Sequence, residues 1–259
     1  MPYLTKEGFR LHYEEKGSGS TSYIFIHGTG GTHAQVMPEF QYFSTLGRAI
    51  TLDLRGHGLS DKPSSSYSIE TFAQDIAWLC SELKINKPVL VGASMGGNIA
   101  IEVAAQNPKI PSAIVLLDSS ILYPQKIVDK IKSYARSFEE NSLNSCIDKL
   151  INNSCLETDQ CKKAAKEMYL TTPKHVWIAC FTNMLDWDKH KAQDQIKKLT
   201  IPTLYIEADN RLADLDLFTK LCPGLITAKV VGSGHLLSLE VPNQVNPMIE
   251  QFIKIHKKT

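Results

Sequence analysis

A serine set between glycines has the clearest chemical potential in this chain. Ser94 lies in the run Gly92 to Gly97 (GASMGG), which follows an apolar strand pattern at 88–91 and precedes a helical pattern at 98–105. The flanking glycines leave room for a sharp turn that a side chain would crowd. Such a turn presents the hydroxyl at the carboxyl edge of a sheet, next to the positive end of a helix dipole. The pattern predicts that Ser94 is a nucleophile for carbonyl carbons.

A glycine-rich loop after an earlier strand offers a second part of such a site. It reads HGTGG from His27 to Gly31. A tetrahedral oxyanion needs two backbone N–H donors, one from the residue after the nucleophile and one from a loop of this kind. We therefore predict the amides of Met95 and Thr29 as the donors, with His27 bracing the loop. A phosphate cradle is disfavoured because no Lys-Ser or Lys-Thr closes the loop and the GxGxxG spacing is absent.

The general base is expected late in the chain, on a loop beyond the last strand. The run Gly232-Ser233-Gly234-His235 follows the last apolar strand pattern. Its small residues allow the loop to bring His235 over the sheet edge toward Ser94. The pattern predicts His235 as the base that accepts the serine proton.

The elements that must position these residues alternate between short apolar runs and helical stripes, as in parallel strands joined by crossover helices. The predicted strands are 23–26, 49–52, 88–91, 113–117, 203–206 and 228–231, and two N-terminal segments at 3–5 and 10–15 are predicted to pair antiparallel around Gly8. Consecutive apolar residues in the strands indicate a sheet covered on both faces. Helical stripes are predicted over 69–83 and 245–253.

The alternation breaks at about 119–199, which is helical in pattern and rich in Lys, Asn, Ser and Glu. We interpret 119–199 as a helical lid inserted into a core formed by 1–118 and 200–259. Apolar residues of the lid are candidates for the wall of an acyl pocket, although packing within the lid is equally compatible with them. They are Phe138, Trp177, Phe181, Met184, Leu185 and Trp187, of which Trp177 and Phe181 are the predicted substrate-binding residues.

Composition excludes several other classes. The 259 residues carry 28 basic and 27 acidic side chains, a net charge of +1 that gives no general attraction for nucleic acid or anionic membranes. No apolar run reaches the length of a membrane span and the N-terminal segment does not resemble a secretory signal, so a cytoplasmic location is expected. The six cysteines fit neither a zinc site nor a disulfide framework. We expect no cofactor, no metal, a small-molecule substrate, and a monomer or homodimer.

Nearly the whole chain resembles the lidded α/β-hydrolase superfamily. The resemblance rests on 27–30, on the run DLRGHGLSD from Asp53 to Asp61, on 92–97, and on 232–235 followed by LEVP at 239–242. It implies a mostly parallel eight-stranded sheet flanked by helices, with an inserted helical lid. The closing stretch resembles bacterial esterases, enol-lactonases and ring-cleavage hydrolases alike. Arg55 and His57 are expected to be structural.

The resemblance also implies an acid that holds the histidine in one tautomer, and here the chain departs from the family pattern. Related proteins place an Asp shortly after a Gly at the end of the penultimate strand, whereas this chain reads IEADNR at 206–211. In that pattern Asn210 is a candidate for the acid's position. The candidates are Asp118, at the end of the preceding strand as in some haloalkane dehalogenases, Asp209 with a one-residue shift, and Asp214.

These residues predict a serine hydrolase that cleaves a carboxylic ester, lactone or thioester of a small to medium, hydrophobic substrate through an acyl-enzyme. Ser94 argues against dehalogenase and epoxide-hydrolase activity, which need an Asp at that turn. Two alternatives remain open. One is a carbon–carbon bond hydrolase of ring-cleavage products, or a perhydrolase-like enzyme, and the other is a small-molecule receptor on a hydrolase fold.

Overall fold

The computed structural model describes residues 2–64, 66–154 and 159–256. Over these residues one sheet of eight strands has the order β1-β2-β4-β3-β5-β6-β7-β8. The strands are β1 (Tyr3–Lys6), β2 (Phe9–Lys16), β3 (Ser22–Ile26), β4 (Arg48–Leu52), β5 (Val89–Ala93), β6 (Ala113–Leu117), β7 (Thr203–Glu207) and β8 (Leu225–Lys229). The predicted eight-stranded, mostly parallel sheet is therefore confirmed.

The N-terminal hairpin forms the antiparallel edge of this sheet. β1 pairs with β2, and β2 pairs with β4, both antiparallel. Gly8 adopts a φ of 81° in the turn, a left-handed conformation that glycine takes without steric cost. From β3 through β8 every pairing is parallel. The carboxyl ends of β3, β5, β6 and β7 thus meet at one edge.

The helices cover both faces of the sheet and the region between β6 and β7. They are α1 (Met37–Phe43), α2 (Ile69–Glu82), α3 (Met95–Gln106), α4 (Gln125–Glu140), α5 (Leu143–Asn152), α6 (Asp159–Tyr169), α7 (Lys174–His190), α8 (Ala192–Lys197), α9 (Leu215–Leu221), α10 (Leu237–Glu240) and α11 (Pro242–His256). The helices predicted from the stripes at 69–83 and 245–253 correspond to α2 and α11. No described helix combines the length and the apolar composition that a membrane span requires.

Consecutive apolar residues in the strands serve two separate cores. In β3, Ile24 and Ile26 pack with α2 and α3 on one face, whereas Tyr23 and Phe25 pack with α1 and α11 on the other. Side chains alternate between the faces of a strand, so a strand buried on both faces must be apolar at every position. This is the physical reason for the unbroken apolar runs.

The prediction for the last strand was wrong in position. We expected residues 228–231, but β8 covers Leu225–Lys229. β8 is the edge strand, so only part of it is covered and its apolar signal is weak. Val231 is 75% exposed, and its amide donates to Gln244 Oε1 at 3.0 Å instead of continuing the sheet. The apolar pair Val230-Val231 therefore begins the loop that leads to His235.

The segment between β6 and β7 carries α4 to α8. A separate apolar cluster includes Phe138, Trp177 and Phe181, whereas Trp187 and residues of α8 pack into the main core. The division into a core and a lid at 119–199 stays a prediction. Cys80, Cys146, Cys180 and Cys222 are buried, and Cys155 lies outside the described residues.

Candidate active site

Ser94 sits on a sharp turn between β5 and α3. Its φ of 52° and ψ of −120° lie in a region that side-chain-bearing residues rarely occupy. A Cβ on Gly92 would lie 2.2 Å from the carbonyl oxygen of Gly96, and a Cβ on Gly96 would lie 2.3 Å from that of Ile26. Only glycine fits either position, because both neighbours are backbone atoms. The sequence pattern is thus a consequence of how closely α3 approaches the sheet.

His235 lies between Ser94 and Asp118. Its Nε2 is 3.0 Å from Ser94 Oγ, and its Nδ1 is 2.7 Å from Asp118 Oδ2. Its backbone N–H donates to the carbonyl oxygen of Ser154 at 2.6 Å. With Nδ1–H donating to the carboxylate, Nε2 is left to accept the serine proton.

Asp118 follows β6 directly, at the carboxyl edge of the sheet. Its φ of 44° is left-handed, and its side chain is almost fully buried. Its backbone N–H donates to Ile206 O at 2.8 Å, and its Oδ1 accepts the amide of Ala208 at 3.2 Å. The carboxylate is therefore oriented by β7 while its second oxygen faces His235.

Asp209, the alternative acid, has a different set of contacts. Its Oδ2 accepts the amides of Gly232 and Ser233 at 3.1 and 3.2 Å, and its own amide donates to Ser233 O at 3.1 Å. Asp209 thus fastens the loop that carries His235 without contacting the imidazole itself.

The other two acid-site residues are also placed away from the imidazole. Asp214 caps α9, where its Oδ1 accepts the amide of Leu217 at 2.9 Å. Asn210 lines the cavity described below. Of the acids considered, Asp118 is the one hydrogen-bonded to the imidazole in the described part of the chain. Its catalytic role stays a prediction.

The predicted oxyanion donors lie next to the serine. Met95 begins α3, where the first amides of a helix have no acceptor within the helix, and the Thr29 hydroxyl lies 3.4 Å from Met95 Sδ. A Cβ on Gly28 would lie 2.9 Å from Ser94 Cβ, so this loop passes directly over the nucleophile. The Gly28 amide donates to Gln35 Oε1 at 2.9 Å. Sequence reasoning missed Gln35, whose role depends on a contact that no local pattern reveals.

Two buried histidines hold this loop. His27 Nδ1–H donates to Gly28 O at 2.7 Å and its Nε2 accepts the amide of Leu54 at 2.9 Å. His57 Nε2 accepts the amide of Gly30 at 3.1 Å. Burial lowers the pKa of His27 to about 4 and that of His57 to about 3. Both rings are therefore neutral at pH 7. Their contacts hold the backbone of the loop in place.

The loop from 53 to 61 is held by contacts with side chains outside it. Arg55 donates to both oxygens of Asp75, at 2.6 and 2.7 Å. Asp53 accepts from His12 Nδ1 and His33 Nδ1, both at 2.9 Å. Although burial acts to raise it, these hydrogen bonds hold the pKa of Asp53 well below its ordinary value.

The cluster of His12, His33 and Asp53 has the residue types of a metal site, with ligand atoms within 4.8 Å of one another. Both carboxylate oxygens of Asp53, however, already accept hydrogen bonds, including those from the amides of His33 and Leu59. These hydrogen bonds satisfy both oxygens of the Asp53 carboxylate without a metal ion.

A cavity of about 580 Å³ opens beside Ser94 and His235. Its apolar wall includes Ile127, Ile131, Tyr134, Leu150, Tyr169, Trp177, Phe181, Met184 and Leu212. The structure brings the predicted residues Trp177 and Phe181 to this wall. Phe138 instead stacks behind Trp177, with ring centroids 5.0 Å apart, and Trp187 Nε1 donates to the buried Glu102 at 2.8 Å. Leu185 packs against the same cluster as Phe138.

Residues 24–242 match the family described as alpha/beta hydrolase fold. The chain therefore belongs to the alpha/beta hydrolase fold family.

Curated relatives and solved structures agree with this assignment. A 2-(acetamidomethylene)succinate hydrolase of Mesorhizobium japonicum is 33% identical over 48% of this chain, and the match spans 44% of that relative, less than half its length. A putative non-heme chloroperoxidase of Synechocystis is 25% identical over 98% of this chain and 100% of its own. An esterase structure from Exiguobacterium antarcticum superposes with a TM-score of 0.86 at 20% identity, covering 96% of this chain and 97% of its own. At that identity the superposition shows the fold alone.

Proposed function

We propose that this protein is a serine hydrolase that cleaves a carboxylic ester, or a related lactone or thioester, through an acyl-enzyme. The observation that carries the proposal is the continuous chain from Ser94 Oγ through His235 to Asp118, with distances of 3.0 and 2.7 Å. This order of nucleophile, base and acid is what activates a serine at neutral pH.

In the first half-reaction, Ser94 Oγ attacks the carbonyl carbon while its proton passes to His235 Nε2. The carbon–oxygen double bond becomes an oxyanion, and we assign its binding to the amides of Met95 and Thr29. Collapse of this intermediate breaks the bond to the leaving group. His235 gives its proton to the departing oxygen, or to the departing sulfur of a thioester, and the acyl group remains on Ser94.

In the second half-reaction, water takes the place of the leaving group. His235 accepts a proton from the water, the hydroxide attacks the acyl carbon, and Ser94 leaves with the proton that His235 returns. Asp118 holds the Nδ1–H tautomer and stabilises the imidazolium in both halves. Its buried position keeps this interaction strong, because little water screens it.

The cavity supports a substrate of small to medium size. Its volume of about 580 Å³ falls within the ordinary range for small-molecule sites. Trp177, Phe181 and Met184 give it an apolar wall, which suits an acyl chain. The names of the relatives, which include a 2-(acetamidomethylene)succinate hydrolase and a putative non-heme chloroperoxidase, do not identify one substrate.

The receptor alternative is disfavoured by the intact hydrogen-bonded chain. A receptor has no need for a nucleophile, base and acid in contact, and a strained serine costs stability on the order of 1–3 kcal/mol.

The test is covalent labelling with a fluorophosphonate probe, followed by intact-mass analysis and turnover of nitrophenyl esters of graded acyl length. We expect one adduct on Ser94 and ester turnover that Ser94→Ala abolishes. Ser120 lines the same cavity, so Ser120→Ala is the matched control and should still be labelled. Absence of both labelling and turnover in the parent protein would overturn the proposal.

A further inference from the structure

The charges around the cavity are unbalanced. Among the described residues that line it, the cations are Lys126, Lys130 and Arg211, and the only carboxylate is Asp118. Asp118 is already bonded to His235. The chain as a whole has nearly equal numbers of basic and acidic residues, so this local excess of positive charge does not follow from composition.

Lys126 lies at a helix terminus that does not stabilise a positive charge. It is in the first turn of α4, which holds no acidic residue, and the positive end of the helix dipole disfavours a lysine there. The nearest acidic residue along the helix, Asp129, accepts from Gln125 at 2.8 Å. Within the described ranges Lys126 forms no ion pair.

Lys130 lies one turn further along the same face. Its Nζ lies 5.7 Å from the ring centroid of Tyr134, a residue of the cavity wall. Lys130 is exposed as a residue, but partial desolvation lowers its pKa, and no carboxylate acts to raise it. The ammonium is thus held beside the cavity by an aromatic face, without an anionic partner in the described part of the chain.

Arg211 belongs to the loop between β7 and α9. Its Nε donates to Glu207 Oε2 at 2.7 Å, and Glu207 is shared with Lys229, whose Nζ is 3.7 Å away. Two cations therefore share one carboxylate, which leaves a net positive charge. The remaining guanidinium nitrogens of Arg211 can bind a further anion.

Carboxylate suits this arrangement better than phosphate. Phosphate sites draw on several free amides of a glycine-rich loop. Here the amides of Gly28, Gly30 and Gly31 donate to Gln35, His57 and Gly28 O, respectively. Side-chain cations alone, next to an apolar wall, fit a singly charged group on a carbon chain.

We propose that the ester cleaved at Ser94 carries a carboxylate elsewhere in the molecule, and that Lys126, Lys130 and Arg211 bind it at the cavity wall. The substrate class is then the half-ester of a dicarboxylic acid, or a lactone that bears a carboxylate. This inference rests on the proposed function and names its substrate.

The test compares monoethyl adipate with ethyl hexanoate, two ethyl esters of equal acyl length that differ in the terminal carboxylate. Hydrolysis is followed by pH-stat, and the readout is the ratio of kcat/KM for the charged ester to that for the neutral ester. We expect a ratio well above one. The ratio should fall as salt is raised from about 20 to about 500 mM, because the Debye length shrinks severalfold and the attraction between the charges is screened. Lys130→Gln should lower the ratio about threefold, and Lys126→Gln with Lys130→Gln about tenfold.

Lys132→Gln is the matched control, because Lys132 is exposed on the same helix, as Lys126 and Lys130 are, but does not line the cavity. It should leave the ratio unchanged. Turnover of the neutral ester with a ratio at or below one, or a ratio that the cavity lysines do not alter, would overturn this inference while leaving the serine hydrolase intact. Failure to cleave any ester, with Ser94 unlabelled, would overturn both.

Discussion

The buried carboxyl of Glu39 should make the stability of the protein depend on pH. This glutamate of α1 is fully buried, and neither carboxyl oxygen has a hydrogen-bond partner. The Glu39 backbone and the nearby hydroxyl of Ser238, of the short helix after His235, act to lower the pKa of this carboxyl. Burial outweighs both effects and raises the pKa of Glu39 from 4.5 to about 8. The group is protonated in the folded protein at pH 7 and ionised in the unfolded chain.

The consequence is a loss of stability as the pH rises. Below pH 4.5 both states bind the proton, so the contribution is fully present there. Between pH 4.5 and 8 only the folded state holds the proton, and stability falls by about 1.4 kcal/mol per pH unit. By pH 7 the loss amounts to about 3 kcal/mol, and it levels off above pH 8.

Glu39→Gln removes the titration while keeping the shape. We expect the free energy of unfolding of the variant to gain about 3 kcal/mol on the parent protein between pH 4.5 and 7, measured by urea unfolding at several pH values. Glu82→Gln, at an exposed position of α2, is the control and should run parallel to the parent. Parallel curves for Glu39→Gln as well would refute the reasoning.

Three further substitutions test the elements that position the site. Gly96→Ala places a Cβ 2.3 Å from a backbone oxygen and should cost about 1–3 kcal/mol of unfolding free energy; an unchanged urea midpoint would contradict the close approach of α3. Gln35→Met removes the acceptor of the Gly28 amide and should lower kcat for a nitrophenyl ester at least tenfold, since misplaced catalytic groups cost rate steeply; unchanged kcat would show that the loop holds without it. Trp187→Phe leaves an oxygen of buried Glu102 without its 2.8 Å donor and should cost about 1–3 kcal/mol. A double-mutant cycle with Glu102→Met, which removes the acceptor, should give a coupling energy above about 0.5 kcal/mol, and no coupling would refute the pair.

The parts that the sequence predicted well are those with local causes. Gly92 and Gly96 are required by backbone contacts of about 2 Å, so they mark the turn at Ser94 in the sequence itself. Strands buried on both faces have unbroken apolar runs, which located the central strands within one or two residues. The prediction failed at the edge strand β8, because its residues are exposed or only half-buried and give a weak apolar pattern. The apolar pair that follows β8 belongs to a loop.

The contacts that sequence reasoning left open are long-range. Asp118 and Asp209 both follow parallel strands at the same sheet edge, and only the fold tells which one faces the imidazole of His235. Gln35 is one polar residue in a loop, and its contact with Gly28 has no sequence signature. The excess of cations at the cavity is likewise invisible in the sequence, because α4 and the loop after β7 contribute them separately.

The most direct test of the proposed catalytic chain is the comparison of Asp118→Asn with Asp209→Asn, using kcat/KM for a nitrophenyl ester. Asn at 118 no longer holds the Nδ1–H tautomer of His235, so we predict a loss of about 10⁴-fold in kcat/KM. Asp209→Asn, which alters only the loop contacts to Gly232 and Ser233, should lose less than about tenfold. An Asp118→Asn variant within tenfold of the parent, or equal losses at both positions, would contradict the account.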